Sequence, residues 1–206
     1  MKSQSRLRML ICVFVLFQTA CGGGSSEGTA AGVNSGQSSG EGGMTTQPST
    51  GDPSFKLSCQ EAQFITELNL YRRANSLSTL KVSKSAVLAA RWHAQNMIDL
   101  NYFDHYEPNG RDPFTRMRAF GYPGFAENVS YGSPNKTAFC QWRNSDGHNK
   151  NMLGASHVST GIGRALKASS YAYWSSNFGG PVSDYVQEPL TSDVPCVLPT
   201  SVPSCL

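Results

Sequence analysis

Two histidines and one glutamate stand at nearly even spacing in the middle of the chain, and their side chains are the ones most able to do chemistry together. His105 lies 22 residues before Glu127, and His148 lies 21 residues after it. Two neutral imidazoles and a carboxylate can move protons, or can bind Zn²⁺ or another divalent cation with an open position for water. Such a site can polarise water for hydrolysis. Spacing alone does not bring the three together, so the surrounding elements must do so.

Other chemistries have weaker sequence support. The chain has no H-E-x-x-H motif and no serine or cysteine in a recognisable nucleophile motif. Gly161 and Gly163 lack the G-x-G-x-x-G order of a nucleotide loop, so they predict close backbone packing. His93 falls inside a predicted helix, and we interpret it as a core-edge histidine that holds a neighbour, not as a ligand.

Apolar spacing and cap residues predict helices before and after a short central strand. Ser58 and Glu61 fit a capping box, and Asp112-Pro113 fits a helix start that Gly121 would end. The predicted helices begin near residues 59, 85, 113, 138 and 147. The predicted strands are 126–130, 159–166 and 171–178, and the last two form a hairpin with two distinct faces. This order predicts the α+β class with a small antiparallel sheet.

The first twenty residues predict an export signal. Three basic residues precede the nine-residue apolar run Met9–Phe17, which is too short to span a bilayer. The following Gln18-Thr19-Ala20-Cys21 resembles a bacterial lipoprotein signal, which predicts lipidation of Cys21. Because Gly22 and not Asp follows the cysteine, we expect sorting to the outer membrane in a Gram-negative cell, or otherwise display at the cell surface.

Composition divides the rest of the chain. Residues 21–54 are rich in Gly, Ser and Thr and predict a flexible linker, residues 55–180 predict the folded domain, and residues 181–206 predict a loop-like tail. Removal of the signal leaves 14 Lys and Arg against 14 Asp and Glu. No basic run stands out, so we expect no nucleic-acid partner.

Four cysteines remain besides Cys12 in the signal and the predicted lipidation site Cys21. They are Cys59, Cys140, Cys196 and Cys205. An even number in an exported chain predicts two disulfides, with three possible connectivities. A zinc cluster would need closely spaced pairs, which these are not.

A series of short motifs in register identifies a family resemblance. They include His93-Ala94, Phe103-Asp104-His105, Arg116, Gly121-Tyr122, Glu127-Asn128-Val129, Trp142, Ser145-x-Gly147-His148, Gly161-Ile162-Gly163 and Trp174. In that order they resemble the bacterial branch of the CAP superfamily, also called SCP domains, over about residues 59–180. The resemblance implies an α-β-α sandwich, in agreement with the predicted elements.

The resemblance also implies a cleft lined by two histidines and, in most members, two acids. His105, Glu127 and His148 fall on three of these positions. The fourth is Ser145, which removes a carboxylate, and the adjacent Asp146 is expected to point elsewhere on its helix. Helices one and four lie on the same side of the sheet in this family, which predicts a Cys59–Cys140 disulfide and leaves Cys196–Cys205 to pin the tail.

Two functions follow from the resemblance. The first is an exported, membrane-anchored binding module of the cell envelope, whose cleft takes a cation or a lipid, glycan or peptide ligand. The alternative is a metal-assisted, peptidase-like hydrolase that uses His105, Glu127 and His148. We expect binding and not catalysis, because the family has few enzymatic members and the second acid is missing. An inert structural part of the envelope would bind no ligand at all.

Overall fold

The computed structural model describes residues 55–133, 135–168, 171–186, 192 and 194–205. The predicted signal segment, Cys21 and the linker up to residue 54 lie outside these residues. The helices are α1 Cys59–Ala74, α2 Lys84–Asp99, α3 Pro113–Ala119, α4 Phe139–Arg143 and α5 Asp146–Met152. The strands are β1 Lys81–Val82, β2 Gly124–Gly132, β3 Ser159–Lys167 and β4 Tyr171–Gly179.

The predicted cap residues bound α1 and α3. The Ser58 hydroxyl accepts a hydrogen bond from the Glu61 amide, and the Glu61 carboxylate accepts one from the Ser58 amide at 2.7 Å. Asp112 caps α3, with Pro113 at its first position. Gly121 follows α3 with a φ of +81°, a left-handed conformation that glycine adopts without strain.

The four strands of the described residues form one sheet in the order β1-β3-β4-β2. Strands β2, β3 and β4 are antiparallel, and the two-residue β1 adds a parallel pair with β3. Strand β1 was not predicted, since two residues are too few to show a period. Strand β2 forms the far edge of the sheet.

Helices cover both faces of the sheet, which confirms the α-β-α sandwich. Helix α2 lies so close to β3 that a Cβ atom on Gly161 would fall 2.3 Å from the Ala86 carbonyl carbon, and one on Gly163 2.0 Å from the Arg91 nitrogen. Both glycines therefore serve close packing, as predicted. On the opposite face, α1, α4 and α5 bury one apolar core, which includes Phe64, Phe139, Trp142, Met152, Ile162, Trp174 and Phe178.

Because helices cover both faces of the sheet, the hairpin does not have the two distinct faces that the sequence predicted. Exposed and buried residues alternate only at the start of β4, and every residue from Trp174 to Gly179 is buried. A strand covered on both faces loses the alternation of a two-faced hairpin.

The structure corrects the predicted disulfide pairing. Cys59 is bonded to Cys196 and Cys140 to Cys205, not Cys59 to Cys140 and Cys196 to Cys205. The tail returns along the helices: the Val197 carbonyl accepts a hydrogen bond from Gln63 in α1 at 3.0 Å, and the Pro203 carbonyl one from Arg143 in α4 at 2.9 Å. Each helical cysteine therefore meets a different tail cysteine.

Within the described residues, no helix combines the length and the apolar character that a membrane span requires.

Candidate functional site

A cleft of about 520 Å³ opens at the free edge of β2. Its wall combines aromatic rings with a few polar groups. The lining residues are Phe103, Asp104, His105, Val129, Ser130, Tyr131, Gln141, Trp142, Ser145 and His148. Two of the three predicted site residues, His105 and His148, thus share one cleft, whereas Glu127 is not part of its wall.

Glu127 lies behind His105, and only 2% of its side chain is exposed. One carboxylate oxygen accepts a hydrogen bond from His105 Nδ1 at 2.9 Å. The other accepts one from Arg116 Nη2 at 2.6 Å and one from the Ser175 hydroxyl at 3.3 Å. Burial opposes ionisation of Glu127, but the hydrogen bonds from His105 and Arg116 and the positive charge of Arg116 outweigh it and hold the pKa of Glu127 below the ordinary value.

Arg116 is the buried cation that balances this carboxylate. Its side chain is fully buried, and its Nη1 donates to the His105 carbonyl at 3.2 Å and to Glu107 at 3.3 Å. Glu107, Arg116 and Glu127 therefore form a continuous charged chain beneath the cleft. Arg116 belonged to the motif series without an assigned role, because a lone arginine in a short helix does not reveal its burial.

The hydrogen bond to Glu127 fixes the His105 ring. With the carboxylate as acceptor, Nδ1 carries the proton and Nε2 carries a lone pair. The side chain is 41% exposed and lines the cleft. His105 is therefore an oriented hydrogen-bond acceptor, or a single metal ligand, on the cleft wall.

Ser145 plays the corresponding part beside His148. Its hydroxyl lies 2.8 Å from His148 Nδ1, and the Trp142 ring packs against the imidazole with centroids 6.3 Å apart. Partial burial is the main cause that lowers the pKa of His148, and repulsion from a protonated His105 acts in the same direction. Ser145 thus positions the second imidazole without adding a charge that would favour its protonation.

The predicted three-ligand metal set is not formed. Within the described part of the chain, no group of three or more His, Cys, Asp or Glu side chains is arranged to hold a metal ion. The physical reason is that Arg116, His105 and Ser175 occupy the oxygens of Glu127. Glu127 orients one histidine and does not join both around a common point.

His93 is a buried structural histidine, as interpreted from the sequence. Its Nε2 lies 3.1 Å from the Asp104 carbonyl oxygen, to which it donates, and 4.0 Å from Glu127. Burial is the main cause that lowers its pKa to about 4. The neutral ring holds the loop that carries His105.

Side-chain amides and the Trp142 indole brace the edge strand. Asn151 donates to the Glu127 carbonyl and to Asn128 Oδ1, while Asn128 donates to the His148 carbonyl at 3.0 Å. The Trp142 indole donates to the Val129 carbonyl at 3.2 Å. These contacts tie β2 to α4 and α5 and set the width of the cleft.

Ser130 is a cleft residue that the sequence did not reveal. The residue belongs to the cleft wall but is only 8% exposed, and within the described part of the chain its buried hydroxyl has no hydrogen-bond partner. A buried hydroxyl without a partner is costly unless water or a ligand supplies one. No sequence signal distinguishes it from the other serines.

Comparison with known proteins identifies the family. The profile described as CAP, cysteine-rich secretory protein family, matches residues 65–178. The Bacillus subtilis (strain 168) protein YkwD is 32% identical over 138 residues, which are 66% of this chain but only 52% of YkwD. This chain thus spans about half the length of that relative.

Two solved structures share the fold. An extracellular protein containing an SCP domain from Bacillus anthracis str. Ames is 23% identical with a TM-score of 0.52, over 59% of this chain and 40% of that one. An outer surface protein from Borrelia burgdorferi is 16% identical with a TM-score of 0.52, over 61% of this chain and 97% of that one. With more than half of its residues matched by the family profile, the chain belongs to the cysteine-rich secretory protein (CAP) family.

Proposed function

We propose that the chain is an exported, membrane-anchored binding module of the cell envelope. Its cleft takes an organic ligand that combines an apolar part with hydrogen-bonding groups. The observation that carries this proposal is a cleft of about 520 Å³ lined by aromatic rings, two imidazoles and Ser130, a wall residue whose hydroxyl has no hydrogen-bond partner among the described residues. That volume lies in the range of small-molecule sites and exceeds the need of a bare ion.

Binding is favoured over hydrolysis by the position of Glu127. A general base must reach the proton that it removes, and Glu127 is buried behind His105. The Glu127–His105 pair orients an imidazole, yet among the described residues no serine, threonine or cysteine side chain hydrogen-bonds to His105 as a nucleophile would. Ser145 hydrogen-bonds to His148 instead, which is not the histidine that Glu127 orients. The groups on the cleft wall suit recognition better than turnover.

Export is supported by chemistry in two parts of the chain. Two disulfides join cysteines 137 and 65 residues apart, which is typical of an oxidising compartment. The lipoprotein-like sequence before Cys21 supports an anchor to the membrane.

A divalent cation is a second candidate ligand, supported by the two imidazoles. Nδ1 of each ring is held from behind, by Glu127 or Ser145, and the lowered pKa of His148 keeps that ring neutral at pH 7. Two histidines are fewer ligands than structural or catalytic zinc sites use. We therefore expect weak Zn²⁺ binding in calorimetry, abolished by His105→Ala or His148→Ala and retained by His157→Ala. Equal loss from all three variants would contradict a cleft site.

The organic-ligand proposal is tested by a nuclear magnetic resonance screen of small fragments that pair an aromatic ring with a hydroxyl or amide group. We expect hits to move the Trp142 indole and His148 imidazole signals. Ser130→Ala should weaken those hits by about five-fold, the value of one hydrogen bond. The exposed Ser183→Ala is the matched control. Hits that move only distant signals, or that bind Ser130→Ala as well as Ser183→Ala, would refute the proposal.

A further inference from the structure

Four aromatic side chains continue outward from the cleft, and we call them the aromatic platform: Phe103, Tyr131, Tyr171 and Tyr173. The Tyr131 ring stacks on Tyr173 with centroids 5.8 Å apart and lies 6.3 Å from Tyr171. Phe103 meets Tyr131 edge-on at 4.9 Å. Phe103 is 44% exposed, and Tyr131 and Tyr171 are each 52% exposed. This much exposed aromatic surface in one place needs an explanation.

The register of the sheet explains why these rings are uncovered. Tyr131, Tyr173 and Ala165 form one cross-strand row, and Tyr171 and Lys167 form the next. Both rows lie on the face that α2 covers at Gly161 and Gly163. Lys167 donates to Asn101, which already lies past the end of α2. The sheet therefore extends beyond its covering helix, and the tyrosines occupy the open end.

The platform and the cleft are continuous. Phe103 and Tyr131 belong to both, since they also line the cleft. The loop that presents Phe103 also presents His105. Along β2, Glu127, Val129 and Tyr131 stand in successive rows of the same face. A ligand long enough to leave the cleft at this side would run over the platform.

The edge of β2 is closed to a peptide strand. Added strands pair with the backbone of a free edge. Here the Glu127, Val129 and Tyr131 carbonyls already accept hydrogen bonds from Asn151, Trp142 and Gln141. A peptide would have to displace all three side chains, so the occupant is held by stacking and side-chain hydrogen bonds.

We propose that the platform is a stacking subsite for a neutral glycan strand whose end enters the cleft. The faces of aromatic rings are electron-rich and attract the partly positive C–H groups on the flat side of a sugar ring. Tyrosine hydroxyls at the rim, with Ser130 and the imidazoles in the cleft, match the hydroxyl and amide groups around its edge. This inference rests on the proposed binding function and names its ligand class.

The test is calorimetry with soluble β-linked N-acetylglucosamine oligomers, with α-linked glucose oligomers as the comparison glycan. We expect the wild-type protein to bind the β-linked oligomers more tightly. Tyr131→Ala and Tyr171→Ala should each weaken binding about ten-fold, by analogy with the loss of one base–aromatic stack. Tyr131→Phe should keep most of the affinity because it keeps the ring. Phe114→Ala, which removes an exposed ring on α3, should change nothing.

The outcomes separate this inference from the function on which it rests. Fragments that bind the cleft while neither glycan binds would overturn the glycan subsite and leave the binding function standing. Glycan binding that survives both alanine variants would overturn the platform. Glycan binding that is lost without the tyrosines but is unchanged in Ser130→Ala and His105→Ala would show that the end of the glycan does not enter the cleft, which would contradict that part of the proposal. Platform-dependent binding to phosphatidylethanolamine–phosphatidylglycerol vesicles, without glycan binding, would assign the rings to a membrane surface and overturn the proposal.

Discussion

On the scale of residues, two contacts of the Glu127 carboxylate show that it supports the fold beneath the cleft. Arg116 Nη2 lies 2.6 Å from one oxygen, and His105 Nδ1 lies 2.9 Å from the other. Burial of an ion pair contributes little net stability, but removal of one partner leaves the other charge buried and uncompensated. We therefore expect the loss of Glu127 to destabilise the fold, independently of any effect on binding.

The first prediction concerns this residue. Glu127→Gln should lower the free energy of unfolding by about 3 kcal/mol, because Arg116 would lose its closest carboxylate. Urea denaturation followed by tryptophan fluorescence measures the change. Asp99→Asn, which alters an acid at the end of α2 that accepts a hydrogen bond from Gln95, is the control and should cost less than about 1 kcal/mol. A Glu127→Gln variant as stable as that control would contradict the buried pair.

The second prediction is the acid sensitivity of the fold, and His93 is its main source. The folded pKa of His93 is about 4, whereas the ordinary value is 6.5. The unfolded chain therefore binds more protons between these values, so stability is lost as the pH falls from about 6.5 to about 4. The loss from this residue is roughly 3 kcal/mol at most. Glu127 acts in the same sense at lower pH: its depressed pKa stabilises the fold above the unfolded value, and that stability is lost as the carboxylate takes up a proton.

Thermal unfolding at a series of pH values measures this effect. In His93→Gln, which cannot be protonated, the drop between pH 6.5 and about 4 should be much smaller than in the wild type. His157→Gln is the comparison variant. His157 is a second buried histidine with a lowered pKa, so it contributes separately to the loss of stability with falling pH. If the wild type and His93→Gln lose the same stability over this pH range, His93 is not the main source of the acid sensitivity.

At the scale of elements, the disulfides fasten the tail to two helices on one side of the sheet. We predict that the double variant Cys140→Ala/Cys205→Ala has a free energy of unfolding about 4 kcal/mol lower than that of the wild type. This is the chain-entropy value for a loop of 65 residues. The Pro203 contact of Arg143 and the Cys205 contact of Asn144 would be lost with it. Denaturation under non-reducing conditions measures the change. Peptide mapping should find Cys59 joined to Cys196, and a Cys59–Cys140 peptide would contradict the structure.

Elements with local signals were predictable from the sequence. The capping box before α1 and the Asp112-Pro113 pair before α3 mark the first residues of these helices in the sequence itself. The strands around residues 127, 162 and 174 lie where they were predicted. The disulfide pairing was not predictable. It depends on the path of the tail, whose contacts are backbone carbonyls and single side chains without periodicity.

The two cleft histidines were predictable from the sequence, but the roles of the candidate residues were not. His105, Glu127 and His148 have residue types that suit a metal, and their types do not say which atoms face the cleft. Helices cover both faces of the sheet, so polar and apolar residues do not alternate cleanly along β2. The sequence therefore could not show that the Glu127 side chain points to Arg116. The unpaired Ser130 hydroxyl is a property of packing alone.

On the scale of the whole molecule, the predicted anchor and the cleft occupy separate parts of the chain. The residues that line the cleft lie between Phe103 and His148, and the contacts that support them extend from His93 to Ser175. The predicted lipidation site, Cys21, stands outside the described residues, before the Gly- and Ser-rich linker. Because the two parts share no residue, loss of the anchor should relocate the protein without changing what its cleft binds.

The last prediction tests that separation. Cys21→Ser should release the protein from membranes or leave an unprocessed precursor, because each buried CH₂ of a lipid chain contributes about 0.8 kcal/mol to anchoring. Cys12→Ser is the matched control, since it removes a thiol from the apolar run of the signal and should leave anchoring intact. Detergent phase partitioning of cell extracts distinguishes the two variants. The released domain should bind cleft ligands with unchanged affinity. A wild-type mature protein found in the aqueous phase would contradict the anchor and leave export to an ordinary cleaved signal.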